Sequence, residues 1–318
     1  MKKIETFYTY LNSQQTAQQY LLHCYKNMEN IDAEAKSYEN CNAFMYYLDH
    51  GNKFYEDGKK LDMAVQPVLF FYGMVHLLKA CLLTKRPNYP ESTTLLAHGA
   101  TSRKKKKKQY SFLDDEVKVQ HNGLFPYSME YLFSTKKSPF EKIKMADLFA
   151  LIPEMDDLFK LHNQEMMLNV GRVGSPLLEF PALLLDSYHL TATAFIQRMK
   201  VHLPTIKYTD SDEEMIRMEL SHPLNYTNGP FFIHQSSQKI YFPKKRNHFI
   251  PISEVMVHYL LLYNLSMLCR YETEWWGDLL VTKSDLDYPF IRYFLQLTSE
   301  KIPILLGNKL YHQYSERN

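Results

Sequence analysis

His76 and Lys79 stand three residues apart in QPVLFFYGMVHLLKACLLT, a run from Gln66 to Thr84 that is otherwise apolar on nearly every helical face. An imidazole beside a primary amine can share a phosphate or transfer a proton. An amine in such surroundings has to be paired, neutralised or able to reach water. His98, in Ala97-His98-Gly99 beyond that run, and Arg270, late in a second apolar helix and close to Tyr271, Trp275 and Trp276, complete a set suited to an anionic group. Each of the four also has an architectural reading. Lys79 would pair with an acid of a neighbouring helix, and His76 would be a hydrogen-bonded core histidine. His98 would line a turn that Gly99 permits, and Arg270 would settle against its own helix C-terminus.

A different chemistry is written in Arg103, Lys104, Lys105, Lys106, Lys107 and Lys108, followed by Tyr110 and Phe112. Such charges can hold phosphates while the aromatics stack on bases, and binding of that kind weakens steeply with salt. The same run also reads as a solvated loop. From Thr101 to Met145 there are eleven Lys or Arg against five Asp or Glu, which leaves 26 basic and 30 acidic side chains elsewhere. The chain thus has one basic stretch on a mildly acidic body, with a formal net charge of +2.

Several classes of chemistry are disfavoured. No GxxxxGK[ST], GxGxxG or GxSxG occurs, and with 10 glycines in the chain phosphate-cradling loops are scarce. Glu254 and His258 are one helical turn apart, but no HExxH accompanies them, so neither a metal nor a cofactor is expected. Cys24, Cys41, Cys81 and Cys269 form no CxxC pair and read as buried thiols. The N-terminal MKKIETFYTYLNSQQ lacks the apolar stretch of a signal peptide. Val65 to Leu78 and Val255 to Cys269 fall short of the roughly 18 to 20 residues that span a bilayer. A soluble, cytoplasmic protein without a membrane partner is expected.

The elements that would carry these residues follow from periodicity. Ser13 to Met28 and Ala33 to Lys60 place apolar side chains on one helical face, and Pro67 suits a first helical turn, so three helices should pack with the third in the centre. Tyr110 to Val119 alternates, and Asn122-Gly123 predicts a tight turn of a small hairpin or flap. Lys144 to His162 returns to helical spacing, interrupted at Pro153; Glu165 to Arg172 suits a strand and Pro181 to Lys200 a helix. Ile216, Met218 and Leu220 alternate, and Phe231 to Gln235 with Lys239 to Phe242 predicts a hairpin. A helix from Ser253 to Arg270 follows, then closing helices over 285–301 and 304–314. The expected class is mainly α with a small antiparallel β-meander (α+β) around a helical bundle. Residues 1–205 would form a helical lobe and 206–318 the meander with the closing helices, together one compact body.

The ordered segments FYGMVHLLKACLLT, LAHG, GLFPY at Gly123 to Tyr127, and LSMLCRYETEWW at Leu265 to Trp276 resemble the YaaC-like family of Gram-positive bacteria over nearly the whole chain. Genes of that family often neighbour the gene for IMP dehydrogenase. The resemblance therefore implies a link to purine nucleotide metabolism and a binding or regulatory protein, acting through a protein partner or a nucleotide-like ligand. IMP dehydrogenase is the first partner it suggests, and it carries no catalytic assignment. A looser similarity is to HEPN-type helical domains, some of which cleave RNA with an Arg followed four to six residues later by a His. That similarity implies the alternative, a HEPN-like nuclease or other enzyme on an anionic nucleotide or RNA substrate. Arg217 and His222 have the spacing but fall in the predicted strand IRMELSH, where the geometry would differ.

Overall fold

The computed structural model describes residues 2–102, 110–224 and 228–315. Its backbone divides into two compact units, 1–143 with 258–318 and 144–257, so the second unit is a chain insertion into the first. The expected seam at residues 205–206 falls within the second unit. The class is mainly α with a small antiparallel β component.

The first unit begins with α1 (Lys2–Tyr10), α2 (Gln14–Tyr25), α3 (Ala33–Lys60) and α4 (Gln66–Leu83). Ser13 caps α2, its hydroxyl accepting from the Thr16 amide, Asp32 caps α3 in the same way, and Pro67 opens α4. Helix α4 is long and apolar enough to cross a membrane by length and composition, yet 67% of that stretch is buried inside the fold. Its burial is arranged by glycines. A Cβ on Gly51 would lie 2.7 Å from Leu77 Cγ and 3.1 Å from the Gly73 carbonyl, and one on Gly58 would lie 2.6 Å from Phe70. Bare backbone at these points lets α3 and α4 approach closely enough for the buried Tyr55 ring to stack on Phe70 of the central helix, centroids 5.3 Å apart.

Two short strands, β1 (Ala100–Ser102) and β2 (Glu116–Val119), pair antiparallel, with Ala100 opposite Val119. The chain then forms α5 (Leu124–Phe133) where a hairpin turn at Asn122-Gly123 was expected. Gly123 does take a turn conformation, with φ +119°, but it starts a helix. Strand β3 (Lys142–Lys144) completes the small sheet in the order β1-β2-β3.

The second unit carries α6 (Met145–Phe149), α7 (Asp156–Leu161), β4 (Met167–Arg172), β5 (Leu177–Pro181), α8 (Leu183–Tyr188), α9 (Ala192–Met199), β6 (Ile206–Ser211), β7 (Met215–Leu220), β8 (Phe232–His234) and β9 (Lys239–Pro243). Its six strands run in the order β6-β7-β5-β4-β9-β8, each neighbouring pair antiparallel. Alternate residues Leu178 and Phe180, Ile216, Met218 and Leu220, Ile240 and Phe242 face one side and bury against Leu184, Tyr188, Phe195 and Met199 of the two helices. The single helix expected over Pro181 to Lys200 is therefore two, broken where His189 adopts a left-handed conformation at φ +53°.

Helix α10 (Glu254–Tyr271) leads back to the first unit, which closes with α11 (Thr273–Thr282) and α12 (Asp287–Ser315). The two closing helices expected from the sequence are one, running through Pro303. Gly307 of α12 receives α1: a Cβ there would collide with Ile4, and Tyr8 beside it donates to the Pro303 carbonyl at 2.8 Å. Cys269 Sγ and Trp276 Nε1 both donate to the Ala64 carbonyl, at 2.8 and 3.0 Å, tying the end of α10 and the start of α11 to the α3–α4 corner. Cys24, Cys41 and Cys81 are buried thiols and Cys269 is half-buried, all unbridged.

The segment after the basic run is fastened by two carboxylates, the buried Asp287 and the half-buried Asp115. Asp287 accepts hydrogen bonds from Ser111 Oγ, the Phe112 amide and the Leu113 amide. Asp115 accepts from the Tyr110 hydroxyl at 2.7 Å and from Asn264 Nδ2 at 2.9 Å, while the Tyr110 ring meets Trp275 edge-on.

Candidate functional site

On α4 the residues that are only half-buried are Gln66, Val68, Leu69, Tyr72, His76 and Lys79. They recur at three- and four-residue spacing, so they form one stripe along an otherwise enclosed helix. Around that stripe the fold gathers the four residues singled out by sequence, in two pairs.

The first pair is His98 and Arg270. The His98 loop is held by its backbone: the Leu124 amide donates to Ala97 O at 2.7 Å, the Phe125 amide to His98 O at 3.1 Å, and the Tyr259 hydroxyl to the same carbonyl at 2.8 Å. This contact requires Gly99 and Gly123 together. A Cβ on Gly123 would fall 2.5 Å from Gly99 N and 2.8 Å from Ala97 O, and both glycines have positive φ. Thus the LAHG and GLFPY segments form one backbone clasp that fixes His98. Its ring lies against Phe71, Tyr72 and Tyr263, with centroids 4.9, 6.0 and 5.9 Å away. Arg270 reaches the same place from α10. Its Nε donates to Ser266 O at 3.0 Å and one terminal nitrogen to the Tyr72 hydroxyl at 3.3 Å, while the guanidinium stands over the Tyr72 and Tyr271 rings. The other terminal nitrogen is 3.3 Å from Met267 Sδ.

The second pair is His76 and Lys79. The His76 ring stacks on Tyr47 at 5.9 Å and meets His50 and Phe54 of α3 at 5.7 and 5.6 Å. Lys79 Nζ stands 5.6 Å from the centre of the Tyr47 ring. No carboxylate of the described residues lies within 4.0 Å of Lys79 Nζ or of the Arg270 guanidinium. The acid partner that an architectural lysine would need is absent among those residues.

Burial pushes His76 down to about 4, helped by the charges of Lys79 and His50, so the ring is neutral at pH 7. His98 is lowered by burial, then by Arg270 and Lys79. Lys79 itself is lowered by burial. The Nδ1 atoms of both His76 and His98 are enclosed without a hydrogen-bond partner. The arrangement is therefore two half-buried cations and two neutral imidazoles set among aromatic rings.

These pKa shifts set a pH dependence. A histidine whose folded value lies below its unfolded 6.5 releases its proton on folding, so its contribution is complete above pH 6.5 and is lost as pH falls through about 4. His98 acts in the same direction. Asp287 acts oppositely, because burial raises its carboxyl, so stability falls as pH rises through its shifted range. The urea midpoint of the His76→Phe variant, followed from pH 7 to 4, is expected to fall less than that of the parent protein. An equal fall in both would remove His76 as a cause.

The remaining sequence candidates lie elsewhere. Arg103 to Lys108 fall outside the described residues. Arg217 projects from β7 into three acids, with ion pairs to Asp212 at 2.7 Å, Asp210 at 3.4 Å and Glu179 at 3.7 Å; His222 follows two residues after that strand. His258 Nδ1 is 2.8 Å from Thr298 Oγ1, and no metal-holding group of His, Cys, Asp or Glu occurs among the described residues. Two surface hollows of about 290 and 300 Å³ belong to the second unit, and neither is lined by any of the four candidates.

Sequence reasoning missed Tyr47, His50, Tyr72, Tyr259 and Tyr263. Their signal was available as spacing: Tyr47, His50 and Phe54 recur at three and four residues on α3, as do Tyr72, His76 and Lys79 on α4. The assignment of Gly99 and Gly123 to one contact had no local signature.

No curated protein and no solved structure matches the chain. The family model described as YaaC-like Protein matches residues 9–310, which takes in all four segments and both halves of the clasp. The chain belongs to the YaaC-like family.

Proposed function

We propose that this protein is a binding protein whose ligand is an anionic, ring-bearing molecule of the nucleotide type, held over the half-buried stripe of α4. The observation that carries this reading is the pair Lys79 and Arg270: two cations set into aromatic surroundings with no carboxylate of the described residues to neutralise them. Keeping such charges half-buried has a cost that an anion would offset. Arg270 is pre-aligned by Ser266 O and the Tyr72 hydroxyl, and its planar fork retains further N–H groups for a phosphate. The neutral His76 and His98 can accept or donate hydrogen bonds without adding positive charge, and the half-buried Tyr47 and Tyr72 offer faces for a base. The purine link implied by the family resemblance makes purine nucleotides the first ligands to try and IMP dehydrogenase the first protein partner.

Calorimetric titration of the full chain with adenine and guanine nucleotides tests the reading. Binding is expected in the parent protein, weakened about tenfold or more in Lys79→Met and in Arg270→Met, since each removes one charge-assisted contact. Unchanged far-UV circular dichroism would show that the variants still fold. Nucleotide binding that survives both substitutions would place the ligand elsewhere, and no binding in the parent would end the proposal.

A further inference from the structure

We propose that the ligand of this site carries two separate anionic groups, as a nucleoside 3′,5′-bisphosphate does, with one phosphate on Arg270 and the other on Lys79. This rests on the nucleotide reading above and goes further by assigning the two cations to different phosphates.

The two cations meet the stripe at different residues. Arg270 is hydrogen-bonded to Tyr72, while Lys79 stands seven residues further along α4, about 10 Å along the helix axis. They also lean toward different walls. Lys79 Nζ lies over Tyr47, which comes from α3, and the Arg270 guanidinium comes from α10 and is held there by Ser266 O. His98 lies on the Arg270 side, its ring 6.0 Å from that of Tyr72. A single phosphate held by the Arg270 fork would leave Lys79 uncompensated at the far end. Adjacent phosphates of a polyphosphate share a bridging oxygen and stay close, whereas the sugar of a nucleoside keeps its 3′ and 5′ phosphates apart. Between Tyr72 and Lys79 on that face stands His76, whose neutral ring is a flat neighbour for a base or a sugar edge rather than for further charge.

The groups facing the two ends are few. At the Arg270 end they are Tyr72 and His98, with Tyr259, Tyr263 and Tyr271 from α10. At the Lys79 end they are His76, with Tyr47 and His50 from α3. None of these carries negative charge near neutral pH, and burial raises the Tyr47, Tyr259 and Tyr263 hydroxyls further from ionisation.

The test compares four ligands on the unmodified full chain: adenosine, adenosine 5′-monophosphate, adenosine 5′-diphosphate and adenosine 3′,5′-bisphosphate, with the guanosine set in parallel. The bisphosphate is expected to bind about tenfold or more tightly than the monophosphate and the diphosphate of the same base. In Lys79→Met and Arg270→Met that advantage should shrink to about the monophosphate level, each variant losing one phosphate contact. Equal affinity for monophosphate and bisphosphate, or a preference for the diphosphate, would overturn the two-anion assignment while leaving the nucleotide reading standing. Failure of every nucleotide to bind the parent protein would overturn both.

Discussion

Replacing Gly123 with alanine is expected to destabilise the first unit by about 3 to 5 kcal/mol and to abolish ligand capture at the His98 end of the site. Two costs add. The residue holds φ +119°, which side-chain-bearing residues rarely adopt, and its new Cβ would press on Gly99 N at 2.5 Å, Gly99 Cα at 2.6 Å and Ala97 O at 2.8 Å. All three contacts are backbone, so no rotamer change can relieve them. The Ala97–Gly99 loop must move, and with it go the amide bonds from Leu124 and Phe125 that hold His98. Gly174→Ala is the matched control: φ is +84°, but nothing lies within 4 Å, so only the conformational cost remains, about 1 kcal/mol. Thermal melts of the two variants beside nucleotide titrations check both halves of the claim. A Gly123→Ala protein as stable as Gly174→Ala would show that the clasp is not what fixes the loop.

Asp287→Ala is expected to cost a similar amount for a different reason. Its carboxylate is almost wholly enclosed, at 1% exposure, and accepts from Ser111 Oγ and from the amides of Phe112 and Leu113. Removing it strands three donors at once, two of them backbone groups that have no rotamer to turn toward water. At about 1 to 3 kcal/mol for each buried unsatisfied group, a loss of about 3 to 5 kcal/mol follows, or a melting temperature lower by about 6 to 15 °C. Asp287→Asn should lose less, because it keeps the shape and one acceptor oxygen and no longer has a charge to desolvate. A melt in which asparagine is as damaging as alanine would show that the negative charge, rather than the accepting geometry, holds the 110–113 segment.

The sequence made some of this legible and hid the rest for identifiable reasons. Helices α2 to α4 were readable because their apolar spacing, the Ser13 cap and Pro67 are local signals. The alternation at Ile216, Met218 and Leu220 was readable because one face of that strand is buried. Strand β6 was not, since Lys207 to Ser211 are exposed on both faces and carry no alternating pattern. Pro303 suggested a break between two closing helices, but α12 continues through it, held by the packing of α1, whose Tyr8 hydroxyl donates to the Pro303 carbonyl. Asn122-Gly123 signalled a turn correctly in its φ angle and misleadingly in its sequel, because hairpin and helix starts draw on the same residue types. For the site, the titratable residues announced themselves by standing in apolar runs, whereas their convergence depends on contacts between residues separated by more than 150 positions, such as Tyr259 with His98. The basic run Arg103 to Lys108, prominent in the sequence, lies outside the described residues.

The placement of the two tryptophans has an optical consequence. Trp275 meets Tyr110 beside the Asp287 clamp, Trp276 is bound to Ala64 at the α3–α4 corner, and the chain has no other tryptophan. Residues 144–257 therefore contribute nothing to tryptophan emission, and excitation at the red edge of absorption reads the helical unit alone. Circular dichroism reads both. Non-coincidence of the two signals along a denaturant gradient would resolve the unfolding of the inserted sheet from that of the helical body without cutting the chain.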